Sequence, residues 1–297
     1  RGHKGDGLSA DELKLVSNPI AHGQLAYQDA PAVGYLNNLL GGAVRKAKAR
    51  LYDHIVIDEG QDLSPLELYL LRRQSEAGSF TILMDTNQSL LGHKETLTWR
   101  EIRVLSKGKN PRRFVIRTGY RATYELTQFA NRVLRSCSIP GSKSKPYRDR
   151  HGEKPKGMRS RSHTDMLKAI LEDIEGLRAM GANSIGVLCR TEREASRVLN
   201  KLVQLGCVNI GTLGKWTHTL GSAHVSSIYG AKGLEFDAVI LCNARRSVFP
   251  DTAFHGRLLY VAVTRAAHVL HVHWYGTVAE VLGKAGISNR LTERTRS

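Results

Sequence analysis

The chain has 297 residues, 41% of them apolar, a length that fits about two domains with sizeable cores. Forty-four Lys and Arg against 27 Asp and Glu give a net charge of +17, which attracts polyanions through counterion release and favours a nucleic-acid partner. No apolar run reaches the ~18 residues that a membrane span needs, so no membrane partner is expected.

In chain order, Ser9–Val16 is expected to be a short helix and residues 31–49 a longer one. Asp53–Ile57 reads as a buried strand, and Leu63–Arg73 as an amphipathic helix whose N-cap and first turn are Ser64-Pro65. Phe80–Met84 is a second strand, Asn110-Pro111 interrupts the pattern, Phe114–Ile116 begins a new strand, and Thr123–Leu134 is a helix. Residues 141–163 hold eight Lys or Arg against two acids and read as a basic loop with a strand inside it. Alternation then resumes: a helix at Met166–Met180, a strand at Ser184–Leu188 and a helix at Glu192–Leu205. Strands follow at Val225–Ile228, Ala238–Leu241 and Val269–Trp274, with a helix at Arg257–Ala266 before the last. Short apolar strands alternating with amphipathic helices predict an α/β fold with parallel sheets covered on both faces.

Cys137, Cys189, Cys207 and Cys242 form no C-x-x-C pair, which speaks against a zinc cage or disulfide framework and suits a reducing compartment. The expected location is intracellular, in the cytoplasm or the nucleoid or nucleus. The opening residues, Arg1-Gly2-His3-Lys4-Gly5-Asp6, contain neither an initiator Met nor a signal-peptide core, so the chain is expected to be part of something longer.

Five segments carry candidate chemistry. In His54–Asp62 an apolar run ends in Asp58-Glu59, placing two carboxylates at the carboxyl edge of a strand, where open α/β sheets bind ligands. In phosphoryl transfer one such carboxylate holds Mg²⁺ and its neighbour orients the attacking water; alone, the pair is more commonly a capped turn. Phe80–Met84 runs into Asp85-Thr86-Asn87-Gln88, which puts Gln88 at a neighbouring strand tip. Gly119-Tyr120-Arg121 sets Arg121 just before a helix. In Ser226–Asp237 the glycines allow close backbone approach, and Glu235 is placed to accept a ribose hydroxyl. Arg265 ends the apolar helix of Leu258–Ala266, either as a solvated last-turn cation or as an arginine finger.

Together, DEGQD, D-x-x-Q, GYR, AKGLEFD and LYVAVTRA resemble the motor motifs of UvrD/Rep-type superfamily 1 helicases over roughly residues 50–275. The resemblance implies a RecA-like P-loop NTPase fold in two lobes. Residues 1–110 would be the C-terminal part of the first, incomplete lobe and residues 111–297 the second, with ATP in the cleft between them. It further implies that Asp58 serves Mg²⁺ and contributes to the nucleotide site, Glu59 activates water, and Gln88 couples hydrolysis to motion. Arg121 and Arg265 would reach the γ-phosphate, Glu235 would contact the nucleotide, and Gly233 would shape its loop. Tyr229 and Lys232 lie where relatives touch nucleic acid, DNA in preference to RNA, and Lys215-Trp216 can add a phosphate contact. The implied activity is ATP-dependent translocation on, or unwinding of, nucleic acid. The alternatives are a remodelling factor that displaces a protein such as RNA polymerase, and a nucleic-acid-binding scaffold that never hydrolyses ATP.

Several features depart from that pattern. No G-x-x-x-x-G-K-[ST] occurs, and Gly211–Thr217 has the wrong glycine spacing, so the P-loop is expected from an amino-terminal portion outside these residues; the chain alone is expected to be inactive. The usual DEAQD appears as DEGQD, where Gly60 is expected to be sterically mild and to loosen the turn. Residues 89–94 lack the aromatics on which relatives stack bases, with Trp99 coming later, and Tyr229 replaces a His. The interval from Arg121 to Lys232 leaves no room for a large inserted domain, as in compact relatives such as HelD-type proteins. His271 and His273 share a strand face, which a half-exposed strand explains better than a metal site.

Overall fold

The computed structural model describes residues 30–39, 51–90, 102–103, 111–137, 143–213, 220–287 and 289–291. The helix expected at Ser9–Val16, Lys215, Trp216 and Trp99 lie outside the described residues, as does the second half of the helix expected at 31–49. What is described falls into two units, one within Arg1–Met84 and Lys94–Arg112 and the other within Asp85–His93 and Arg113–Ser297. None of the described helices is long and apolar enough to cross a membrane.

The first unit contains α1 (Ala30–Leu39), β1 (Tyr52–Ile57), α2 (Pro65–Arg72) and β2 (Ser75–Ile82). Helix α2 starts where the sequence predicts. The Ser64 hydroxyl accepts from the Glu67 amide at 3.3 Å while the Glu67 carboxylate accepts from the Ser64 amide at 2.6 Å, satisfying two orphan donors reciprocally. Strands β1 and β2 pair in parallel, with Ile55 opposite Phe80 and Ile57 opposite Ile82. Because the pairing register extends back to Ser75, β2 begins five residues before the expected Phe80 and ends at Ile82 rather than Met84. Ile57 and Leu68 form the centre of this unit's small core.

The second unit is built on a sheet of seven parallel strands among the described residues. In chain order these are β5 (Lys156–Ser160), β6 (Ser184–Cys189), β7 (Ile210–Thr212), β8 (Ser222–Ser227), β9 (Phe236–Leu241), β10 (Ala266–Tyr275) and β11 (Asn289–Leu291), arranged β11-β5-β10-β9-β6-β8-β7. Two short strands outside it, β3 (Thr118–Gly119) and β4 (Lys145–Pro146), pair with each other. The helices are α3 (Tyr124–Ser136), α4 (His163–Ala179), α5 (Glu192–Gln204), α6 (Ala253–Thr264) and α7 (Glu280–Lys284). Thr123, Ser162, Thr191 and Thr252 each cap a helix through a side-chain oxygen.

The period of two along the central strands sorts the core. Val239 and Leu241 of β9 pack with α3, α6 and α7, whereas Ala238 and Ile240 pack with α4 and α5. Both faces of the sheet are therefore covered, as parallel sheets require.

Two sequence expectations fail here. Phe114–Ile116 is not a strand: it has no ladder partner, and Phe114 and Ile116 are 85% and 89% exposed. Pairing begins instead at Thr118, opposite Lys145. The basic stretch does contain a strand, β5, which enters the main sheet. His271 and His273 do not lie on a half-exposed strand, because β10 is interior to the sheet and both rings are buried. Each meets Asp173 of α4, His271 Nδ1 at 2.7 Å from Oδ1 and His273 Nε2 at 2.8 Å from Oδ2. Burial alone would raise the Asp173 pKa, but hydrogen bonds from the two imidazoles outweigh it and bring it down to about 2.

Candidate functional site

In the first unit, β1 delivers Asp58 and Glu59 to its carboxyl end. Glu59 adopts a left-handed conformation, φ 53° and ψ 38°, which breaks the strand and opens the 3-10 turn Gly60–Asp62. Asp58 Oδ1 accepts from the Glu59 amide at 2.9 Å, and the Glu59 carboxylate accepts from the Gln61 side chain. The Asp58 carboxylate remains exposed at the strand tip. An exposed, hard oxygen donor in that position fits Mg²⁺ held through water.

Gly60 does not loosen this turn. It is buried, its amide donates to Leu83 O at 2.8 Å, and a Cβ there would lie 2.6 Å from Ile82 Cγ2. The glycine lets the end of β1 approach β2 more closely than alanine would allow.

In the second unit Asp85 organises the Gln88 turn. Its Oδ1 accepts from the Asn87 amide and its Oδ2 from Gln88 Nε2, both at 2.9 Å. Gln88 Oε1 then accepts from Arg265 Nη2 at 2.5 Å. Arg265 is the C-cap of α6 and is only 5% exposed, so it is not a solvated last-turn cation. Its Nη1 donates to Leu234 O at 3.1 Å and its Nε to Val261 O at 3.3 Å. Lys232 Nζ closes the group by donating to Gln88 O at 3.0 Å. Burial pushes the Tyr260 phenol up to about 12, with the negative charge of Asp85 acting in the same direction.

Arg121 behaves differently. Its side chain is 81% exposed, and Nη1 meets Glu235 Oε1 at 2.6 Å. Between Lys232 and Glu235, Gly233 turns the chain with φ +78°, in open space where no neighbour lies within 4 Å of a Cβ position. Tyr229 is exposed on the same loop. The loop is pinned at its base, where the Ser227 hydroxyl contacts the Glu192 carboxylate and accepts from the Gly230 amide at 2.9 Å.

The fold thus brings Gln88, Lys232 and Arg265 together, and separately Arg121 with Glu235. Asp58 and Glu59 belong to the other unit. Sequence reasoning gave Asp85 no role, although its place three residues before Gln88, at the head of a turn, is a recognisable Asx signal. It also missed Asp173, whose partners are 98 and 100 residues away.

Residues 222–273 match the sequence profile of the UvrD-like helicase C-terminal domain. This match supports the resemblance to UvrD/Rep-type helicases read from the motifs. Among solved structures, the chain is similar to the C-terminal domain of a possible DNA helicase from Lactobacillus plantarum WCFS1. That likeness has 20% identity and a TM-score of 0.47, covering 59% of this chain and 99% of the other. No curated protein matches.

Proposed function

We propose that the chain is the motor half of an ATP-dependent helicase or translocase acting on nucleic acid, DNA in preference to RNA. Residues 1–110 are read as the end of a first RecA-like lobe and 111–297 as a second. The observation that carries the reading is the Gln88–Arg265 hydrogen bond, which joins the glutamine that the motif resemblance gives the coupling of hydrolysis to motion with the arginine it assigns to the γ-phosphate. The UvrD-like profile match, the net charge of +17 and the exposed carboxylate at the β1 tip support the same conclusion.

In this reading Asp58 would hold Mg²⁺, which when bound supplies positive charge to the phosphates. Glu59 takes the proton of the attacking water, and Gln88 orients that water. Arg265 stabilises charge on the transferring phosphoryl group once it leaves its acceptors at Leu234 O and Gln88 Oε1. Arg121 and Glu235, already paired at the surface, would take the nucleotide's phosphate and ribose. Lys232, Tyr229 and Lys215 are assigned to the strand. The P-loop comes from a portion outside these residues, so the 297-residue chain alone should show no ATP hydrolysis above background.

The test is steady-state ATP hydrolysis by the intact protein with and without single-stranded nucleic acid. Stimulation by the strand that Glu59→Gln abolishes is the expected result. Turnover indifferent to strands, with stable copurification of RNA polymerase, would replace this reading with that of a protein remodeller.

A further inference from the structure

A cavity of about 450 Å³ opens at the carboxyl ends of β6, β9 and β10, the edge where parallel sheets bind ligands. It is lined by none of the residues assigned above. Four arginines, Arg190, Arg193, Arg197 and Arg245, face it together with one carboxylate, Glu194, leaving an excess of three positive charges.

Two buried polar atoms in its wall have no hydrogen-bond partner among the described residues. Asn243 is 5% exposed and adopts a left-handed backbone, φ 56°; its Nδ2 donates to Glu194 Oε1 at 2.5 Å, which leaves Oδ1 as a vacant acceptor. Arg245 stacks its guanidinium 4.3 Å from the Tyr275 ring centroid, and its Nε is a vacant buried donor. Buried polar groups are normally satisfied by protein, by water or by a ligand, and a ligand in the cavity would reach both atoms. Glu194 is held in place at its other oxygen, which accepts from the Arg190 amide at 3.2 Å.

We propose that this cavity binds a nucleoside monophosphate unit through its phosphomonoester, as a free mononucleotide or as the phosphorylated end of a strand. The guanidiniums supply forked donors for a dianionic phosphate, and an excess of three charges suits a phosphomonoester better than the single charge of a phosphodiester. Asn243 Oδ1 accepts a sugar hydroxyl or a base amine beside it. The volume falls within the range of small-ligand pockets. The choice of a nucleotide over other phosphates rests on the nucleic-acid reading above.

The test uses the 297-residue chain and three probes: AMP, and one single-stranded 12-mer carrying either a 5′-phosphate or a 5′-hydroxyl. Two variants are compared with wild type, Arg245→Ala and the double variant R193E/R197E, whose exposed positions on α5 at the cavity mouth leave the core intact. The expected result is at least ~10-fold weaker binding of AMP or of the phosphorylated 12-mer in both variants. Preference for AMP identifies the free nucleotide as the source; preference for the phosphorylated over the hydroxyl strand identifies the strand end. Loss of the phosphate preference in R193E/R197E alone supports the site even if Arg245→Ala fails to fold. The proposal is overturned if AMP does not bind and the two strands bind equally, or if R193E/R197E binds both probes like wild type. The nucleic-acid reading fails separately, if neither strand binds at all.

Discussion

Arg265 ends helix α6 buried, and its guanidinium is held 2.5 Å from the side-chain oxygen of Gln88, 177 residues earlier in the chain. Gln88 is in turn gripped through its nitrogen by Asp85 and through its carbonyl by Lys232. An arginine and a glutamine far apart in the sequence are thus joined by the fold, and Arg265 must release Gln88 to reach a phosphoryl group. A change at Gln88 must therefore reach Arg265. Of the two arginines assigned to phosphate chemistry, this is the positioned one, while Arg121 lies at the surface with Glu235.

Gly60→Ala should destabilise the first unit. The new methyl would meet Ile82 Cγ2 at 2.6 Å, and overpacking of this kind costs about 1–3 kcal/mol. Urea denaturation followed by circular dichroism should show a lower midpoint for Gly60→Ala. Adding Ile82→Ala should then cost less in the Gly60→Ala background than in wild type, because it removes the clash. Strict additivity of the two changes would mean that the close approach is not what selects glycine.

Asp173→Asn tests the buried His–Asp–His cluster through pH. Because the folded-state pKa is depressed to about 2, the ionised carboxylate adds stability above the unfolded value near 4 and loses it as pH falls towards 2. The shift corresponds to about 2 kcal/mol. Wild type should exceed Asp173→Asn by at least that amount at pH 6, and the gap should close between pH 4 and pH 2. A gap that does not change with pH would show that the carboxylate's charge contributes nothing.

Trp99 lies outside the described residues, and its prediction follows from sequence. With no aromatic at residues 89–94, strand binding should rest on Lys and Arg contacts to phosphate. Affinity for a single strand should then fall with salt at a logarithmic slope of about −0.7 per neutralised phosphate. Trp99→Ala should change it little. A shallow slope together with a loss exceeding ~1 kcal/mol in the variant would point to base stacking instead.

The alternation of apolar strands and capped helices made the second unit legible, because hydrophobic period and Ser or Thr caps are local signals. Thr123 and Thr191 mark helix starts within a residue of where the pattern puts them, as Ser64 does in the first unit. What stayed hidden depends on tertiary context. Phe114–Ile116 has strand composition but no neighbour to pair with, and nothing in its own residues says so. His271 and His273 read as half-exposed because sequence does not reveal that β10 sits between β5 and β9, or that Asp173 reaches them from α4. For the candidate site, motifs named Gln88 and Arg265 separately, whereas their contact emerges only from the fold.

The central claim is that the Gln88–Arg265 pair serves the phosphoryl-transfer step. The measurement is kcat for strand-stimulated ATP hydrolysis by the intact protein carrying Arg265→Ala, with strand affinity determined on the same preparation. An arginine acting mainly on the transition state predicts a fall in kcat of ~10³-fold or more with strand binding retained. Turnover within a few-fold of wild type would contradict the account.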